Sequence, residues 1–322
     1  MKKIFLYEPS IASNNVGDQI IVESVKREMN SFIKDTFYIE LPTHTPISNR
    51  YMYFLGKPDM KIICGSNIIV GKLNSLIHLK QWMLNLFTLH NLKNSIFIGV
   101  GSQQYQQKIN LYTKLAYKVF FKKNFLHSVR DSYTENALKN IGIKNVINTG
   151  CPTMWCLTKS HCMEIPTIKA SKVVFTLTDY NKNRERDNYL ISVLKSEYKE
   201  VYFWPQGYGD FSYLSTLNRI DNIKIVPPHL SDYDHVLSEG DIDFVGTRLH
   251  GGIRALQKKV RTLIIGIDNR ATELRSDFNL PVLDQYKIRD LSGMLNQQLR
   301  TDIHIPVENI GIFLAQFDII KK

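Results

Sequence analysis

Residues 243–270 read DFVGTRLHGGIRALQKKVRTLIIGIDNR, and this stretch decides the fold. Asp243 to Val245 form the end of a buried strand, and a tight glycine-containing turn follows. A helix is expected from about Gly251 to Lys258, then a second apolar strand from Thr262 to Ile267. Strand, turn, helix and strand in that order build an open α/β sheet, whose ligands bind where strand carboxyl ends and helix amino ends meet. Arg248 and His250 stand on that turn. Free helix amides and the helix dipole favour an anion there, and a guanidinium adds a bidentate clamp for phosphate or carboxylate. An imidazole in the same turn can hold or release a proton near neutral pH. The structural alternative is that the Arg-x-His triplet is accidental, with Gly251 and Gly252 serving only to let the helix approach its strand.

Working outward, short apolar runs alternate with helical patterns. Strands are expected at Ile4–Tyr7, Phe37–Leu41, Lys61–Cys64, Ser95–Val100, Phe125–Val129 and Asn145–Asn148. Helices are expected near Asp18–Met29, Ser75–His90, Asn110–Lys122 and Ser132–Asn140. A second series runs through Val173–Leu177, a helix near Arg186–Ser196, Val201–Trp204, Ile223–Val226, Ile242–Val245 and Thr262–Ile267. Such alternation argues for parallel sheets covered by helices. A chain of 322 residues suggests two domains, at about 150 residues each. The expected division is 1–160 and 161–322, with the two sheets facing a cleft.

Hydrophobic residues make up 43% and charged residues 22%, the balance of a folded soluble protein. Lysine and arginine number 41 against 30 acidic residues, and the net charge of +11 points to acidic partners. The basic residues read as dispersed, and no RNP, zinc-finger or helix-turn-helix pattern occurs, which argues against nucleic acid. The opening MKKIFLYEPS breaks at Glu8 and Pro9, too soon for an export signal, and reads as a first strand. No apolar run is long enough for a spanning helix. Cys64, Cys151, Cys156 and Cys162 lack metal-ligand spacing and read as free thiols in a reducing compartment, so a cytoplasmic location is expected and no metal or cofactor.

Four loops fall at strand ends in the first half. In NNVGD, residues 14–18, Asp18 is the expected helix N-cap. CGSN (64–67) and GVGSQQ (99–104) are glycine turns, the latter without the third glycine of a dinucleotide fingerprint. In VRDSYTE, Arg130 and Asp131 end a strand, and Ser132 with Glu135 forms a capping box.

The order of these pieces resembles the polysaccharide pyruvyl transferase family. NxGD before a helix, the glycine turn after the third strand, the VRD unit and, above all, RLHxxIxAL carry the resemblance, which spans about Ile4 to Pro281. It implies two Rossmann-like domains in a GT-B-like glycosyltransferase architecture. It implies a transferase that moves the enolpyruvyl group of phosphoenolpyruvate onto a sugar of a cell-surface polysaccharide, or of its lipid-linked precursor. Carried over by residue, it implies that Arg248 binds the donor with His250 beside it as proton donor, that Arg270 keeps a cation, and that Asp18 lies on the acceptor side, where its chemistry suits a catalytic base. Gly251 and Gly252 are expected beside the donor at the helix start. Asn15, Gly17 and Arg130 would line the acceptor side. One departure concerns the end of the second domain's first strand, where members often carry arginine and this chain has Thr178 and Asp179, with Arg184 and Arg186 later. The alternative is a glycosyltransferase of the same architecture using a nucleotide sugar, with Glu273 on the ribose and His250 on the diphosphate.

One further stretch, INLYTKLAYKVFFKKNFLH (109–127), sets Lys114, Lys118 and Lys122 beside a row of Leu111, Leu115 and Val119 at helical spacing. In a layered domain the apolar row packs on the sheet and the lysines are its solvated face. The alternative is a helix resting on the anionic inner face of a membrane.

Overall fold

In β1 (Lys2–Glu8), Ile4 and Leu6 point to one side and Phe5 and Tyr7 to the other, and all four are buried. A strand buried on both faces belongs inside a sheet with helices above and below. The structure is a computed structural model that describes residues 1–45, 47–74, 92–102, 104–105, 108–121 and 124–321. The helix expected over Ser75–His90 lies outside the described residues, as do Lys122 and Lys123.

The elements that follow are α1 (Gly17–Glu28), α2 (Asn30–Ile33), β2 (Thr36–Pro42), α3 (Asn49–Leu55), β3 (Met60–Cys64) and β4 (Ser95–Ile98). Next come α4 (Leu111–Phe120), β5 (His127–Val129), α5 (Ser132–Lys139) and β6 (Val146–Asn148). Strands β1 to β4 form a parallel sheet in the order β2-β1-β3-β4, and β5 pairs with β6. The face carrying Phe5, Tyr7, Ile63 and Phe97 is covered by residues of α3, α4 and α5. The face carrying Ile4, Leu6, Ile62 and Ile96 is covered by α1, α2 and the last helix.

The second series comprises α6 (Lys159–Met163), β7 (Lys172–Thr176), α7 (Arg184–Glu197), β8 (Glu200–Phe203), α8 (Asp210–Leu214), β9 (Lys224–Ile225) and α9 (Leu230–Ser238). It continues with β10 (Ile242–Gly246), α10 (Leu249–Gln257), β11 (Thr262–Gly266), α11 (Asn269–Phe278), β12 (Val282–Asp284), α12 (Leu291–Leu295) and α13 (Val307–Lys321). Its parallel sheet runs β12-β11-β10-β7-β8-β9. Counted in chain order, this is the doubly wound arrangement of a Rossmann fold. Chain order reverses between the neighbours β7 and β10, which pair from Ile242↔Lys172 to Gly246↔Thr176. Crossovers leave these two strands in opposite directions, so their carboxyl ends flank the ligand crevice of this topology.

The chain divides into two compact units. Met1–Ser13, Ile21–Trp155 and Pro306–Lys322 form the first, and Asn14–Ile20 and Cys156–Ile305 the second. The linear cut expected at residue 160 differs from this at the linker and at both ends of the chain. The return of α13 to the first unit has a packing cause: Phe313 and Phe317 join Phe32 and Trp155 in its core. The NNVGD segment goes with the second unit because Val16 N donates to Gln206 O at 2.9 Å and Tyr208 N to Asn14 O at 2.9 Å.

Several local expectations shift. Asp18 is not the cap of α1: the helix begins at Gly17, and Asn15 Oδ1 accepts from Gly17 N at 3.1 Å. The cap of α5 is Asp131, which accepts from Thr134 N at 2.7 Å, and Ser132 is the first helical residue. The apolar row of α4 does not pack on the sheet. Thr113, Ala116, Tyr117 and Phe120 do so, and Leu111, Leu115 and Val119 are exposed. Two hydrogen bonds fix this rotation: Tyr117 OH donates to Val70 O at 2.8 Å, and Leu73 N donates to Thr113 Oγ1 at 2.8 Å.

Gly252 lies on the sheet side of α10, where a Cβ would sit 2.4 Å from Ile264 Cγ1 and 2.9 Å from Phe244 Cε1. This is the packing role, and it sets how deeply α10 seats on β10 and β11. Gly252→Val should destabilise the protein by about 1–3 kcal/mol through overpacking. The urea midpoint should fall at unchanged slope. An unchanged midpoint would show that the sheet yields and that depth is set elsewhere.

Candidate active site

At the crevice of the second unit, Thr178 Oγ1 and Thr247 Oγ1 meet at 2.8 Å across the ends of β7 and β10. Thr247 N donates to Thr176 O at 3.1 Å and Arg248 N to Thr176 Oγ1 at 3.2 Å, which steers Arg248 to the N-cap of α10. The helix therefore starts at Leu249, and His250 is in its first turn rather than in the preceding loop. His250 is buried.

The Arg248 guanidinium is almost fully enclosed. Nε donates to Asp210 Oδ2 at 2.9 Å and to Leu177 O at 3.1 Å; Nη2 donates to Asp179 Oδ1 at 2.8 Å and also to Asp210 Oδ1. Gly207 makes room, because a Cβ there would lie 2.1 Å from Nη2. Burial disfavours the charge, yet Asp210, Tyr180 and Asp179 together hold Arg248 above the usual arginine value. Nη1 makes no hydrogen bond among the described residues, which leaves that edge of the guanidinium for a ligand.

Tyr180 ties the two expected donor arginines together. Arg248 lies over its ring, 5.1 Å from the centroid, and Arg270 Nη2 donates to its hydroxyl. Arg270 Nε also donates to Asp268 Oδ2 at 3.0 Å. Burial works against Arg270, but Asp268 and Tyr180 outweigh it and raise its pKa. Glu273 is half-buried on α11.

Beneath the first turn of α10, Trp204 and Tyr233 stack with centroids 3.8 Å apart and planes 1° from parallel. Tyr233 OH donates to Gly251 O at 2.9 Å, fixing the turn to this aromatic floor. Two helix N-termini then converge on one side chain, Gln206. Its Nε2 donates to Asn15 Oδ1 at 2.8 Å, at the start of α1. A Cβ on Gly17 would lie 2.5 Å from that Nε2, and one on Gly251 3.0 Å from Gln206 Oε1. Asn15, Gly17 and Gly251 are thus brought to one place, and Asp18 is buried in the same first turn of α1. Gln206 Oε1, Trp204 Nε1 and Asn269 Nδ2 are buried with no hydrogen-bond partner among the described residues. Buried polar groups are nearly always paired, so unpaired atoms in the segments after β8 and β11 mark places completed by a ligand or by water.

Arg130 belongs to the first unit. There it donates to Asn67 Oδ1 at 2.5 Å, Ser102 O at 2.7 Å and Asp131 Oδ2 at 3.1 Å, joining three of the loops expected at strand ends. Neither later arginine replaces the one absent at Thr178. Arg186 is consumed by Asp187, Asn181 and Gln285, and Arg184 donates to Thr216 O at the surface. Sequence reasoning missed Tyr180, Gln206 and Asp210. The last two sit in WPQGYGD after β8, where spaced glycines and a following aspartate are the signal that was there to find.

The profile of the polysaccharide pyruvyl transferase family matches residues 15–269. A search of curated protein sequences returns no match. Among solved structures, the Methanocaldococcus jannaschii UDP-GlcNAc 2-epimerase superposes with a TM-score of 0.60 at 12% identity, over 99% of this chain and 98% of that one. The Rickettsia bellii UDP-N-acetylglucosamine 2-epimerase gives 0.54 at 10% identity, over 100% and 96%. The lipopolysaccharide outer core galactosyltransferase WaaB gives 0.50 at 10% identity, over 100% and 97%. At these identities the likeness establishes the fold, that of GT-B epimerases and glycosyltransferases.

Removing Arg248 leaves the Asp210 carboxylate buried without its partner. Arg248→Ala should therefore lower unfolding free energy by about 3–5 kcal/mol, and Arg248→Met with Asp210→Leu should recover most of it. Burial already lifts the Asp210 carboxyl above its usual value even beside Arg248. In the Arg248→Ala protein the folded state then binds a proton more tightly than the unfolded chain, so the deficit should shrink on acidification. Chemical denaturation across pH reads both effects. A deficit that grows in acid would contradict the assignment.

Proposed function

The chain belongs to the polysaccharide pyruvyl transferase family, and on that footing we propose that it transfers the enolpyruvyl group of phosphoenolpyruvate to a sugar. The acceptor is a unit of a polysaccharide or its lipid-linked precursor; a pyruvate ketal closes across two hydroxyls and phosphate is released. The observation that carries this reading is the crevice of the second unit. There the outward edge of Arg248, Arg270 held through Tyr180, and buried His250 share the amino-terminal end of α10 and its neighbour α11.

The chemistry follows from the substrate. Protonating the methylene carbon of an enol phosphate develops positive charge on the carbon that bears the phosphate ester. A sugar hydroxyl adds to that carbon, the carbon–oxygen bond to phosphate breaks, and a second hydroxyl closes the ketal. One hydroxyl proton replaces the proton given to carbon, and the other leaves with phosphate. His250 is the proposed acid, favoured in its charged form beside a bound phosphate. Arg248 Nη1 and Arg270 are the proposed clamps on phosphate and carboxylate, with the helix dipole adding to the field. Asn15 and Gly17 are proposed to line the acceptor side, with Asp18 as the base. The unpartnered Gln206 Oε1 suits a sugar hydroxyl donor. Arg130, in the first unit, is proposed to act on the acceptor there.

His250→Ala should lower turnover by roughly 10²- to 10⁴-fold with an unchanged circular dichroism spectrum. Unchanged turnover would remove histidine from the mechanism. With a glycan acceptor in excess EDTA, the wild-type protein should release phosphate from phosphoenolpyruvate and add a pyruvate ketal to the acceptor. If phosphoenolpyruvate neither binds nor raises the melting temperature while a nucleotide sugar does both, the donor assignment is overturned in favour of glycosyl transfer.

A further inference from the structure

Between Asp59 and Asp131 the sequence has no acidic residue and ten lysines and arginines, against a net charge of +11 for the whole chain. Net positive charge is therefore concentrated in this stretch of the first unit because acidic residues are absent from it, while the basic residues themselves stay dispersed along the chain. The charge alone does not name a partner. What stands beside it does.

Helices α3 and α4 cover the same face of the first unit's sheet, since Met52 and Leu55 of α3 and Ala116, Tyr117 and Phe120 of α4 pack in one core. On the outer side of each helix large apolar side chains face solvent. Tyr53 is 90% and Phe54 81% exposed on α3; Leu111 is 72% and Leu115 58% exposed on α4. Solvated helix faces in soluble proteins are polar, and contiguous exposed apolar groups mark an interaction surface. Neither helix contains an acidic residue. Lys114 and Lys118 flank the leucines, and Arg50 and Lys57 flank the aromatics. A groove lined by Met52, Tyr53, Lys57, Pro58 and Lys61 adjoins α3. Burial, and to a lesser degree the charge of Lys57, lower the Lys61 pKa.

We propose that the outer surface of α3 and α4 docks on an anionic lipid membrane. Leu111, Leu115, Tyr53 and Phe54 enter the headgroup–acyl boundary, and the lysines meet the phosphates. Interfacial helices work this way, with aromatic and leucine side chains below and cations at headgroup level. No helix among the described residues is long and apolar enough to cross a membrane, and the proposed contact is a peripheral one. A nucleic-acid surface accounts for the cations and could stack on the aromatics, but it has no use for exposed leucines.

Co-sedimentation of the full chain with vesicles tests this without substrate, so the result does not depend on the donor chemistry. The protein should sediment with vesicles of phosphatidylcholine and phosphatidylglycerol, not with phosphatidylcholine alone, and salt should release it. Lys114→Gln with Lys118→Gln should weaken partitioning about 30-fold. Leu111→Ser with Leu115→Ser should weaken it about ten-fold or more, as apolar contact is lost. Both double variants should keep the wild-type melting temperature, because these side chains are not in the core. No sedimentation with either vesicle overturns the proposal. So does binding of single-stranded RNA, or dimerisation, that is lost with the same variants while vesicles are ignored.

Discussion

Everything at the functional edge of the second unit is arranged around the buried ion pair of Arg248 and Asp210. Two charges out of water contribute little net stability, since desolvation offsets most of their attraction. What such a pair imposes is geometry. Asp210 accepts from Nε and Nη2 along one edge of the guanidinium, Leu177 O and Asp179 accept from the same two nitrogens, and Nη1 is oriented without freedom to collapse onto a carboxylate. In the proposed reaction Arg248 clamps an anion, and such a clamp must be fixed before the anion arrives, which is what these carboxylates would supply. The pair also joins the loop after β8 to the start of α10, so Gly207 is held by the same carboxylate that holds Arg248.

The local grammar of the sequence carried the sheet-and-helix order well. The stretch from Asp243 to Arg270 reads within two residues of β10, α10 and β11, because an apolar run, a glycine turn and a helical period are all properties of neighbours in the chain. Arg248 and Arg270 were legible for the same reason. Tyr180, Gln206 and Asp210 were not, since the parallel register of β7 with β8 and β10 brings Tyr180 and Asp210 to Arg248 and Gln206 to Gly251. The placing of Asn15 and Gly17 in the second unit likewise depends on Gln206, 191 positions away. Helix α4 teaches a different lesson. Its period was read correctly and its direction was not, because it has two apolar faces and hydrogen bonds from Tyr117 and to Thr113 choose between them.

The two units divide the physical tasks. The second gathers arginines, an imidazole and unpartnered amides at one crevice, a setting for an acidic small molecule. The first carries the net positive charge and the exposed Tyr53, Phe54, Leu111 and Leu115, on which the proposed membrane contact rests. A polysaccharide precursor borne on a lipid would need both capacities in one chain.

The central claim is that this crevice protonates the methylene carbon of phosphoenolpyruvate. Running the reaction in deuterium oxide and weighing the pyruvylated acceptor tests it directly. An exchangeable imidazole proton gives a methyl group carrying a single deuterium, and His250→Ala should lose product and label together. A ketal with an unlabelled methyl group, or an acceptor that gains a sugar from a nucleotide donor and no pyruvate, would contradict the account.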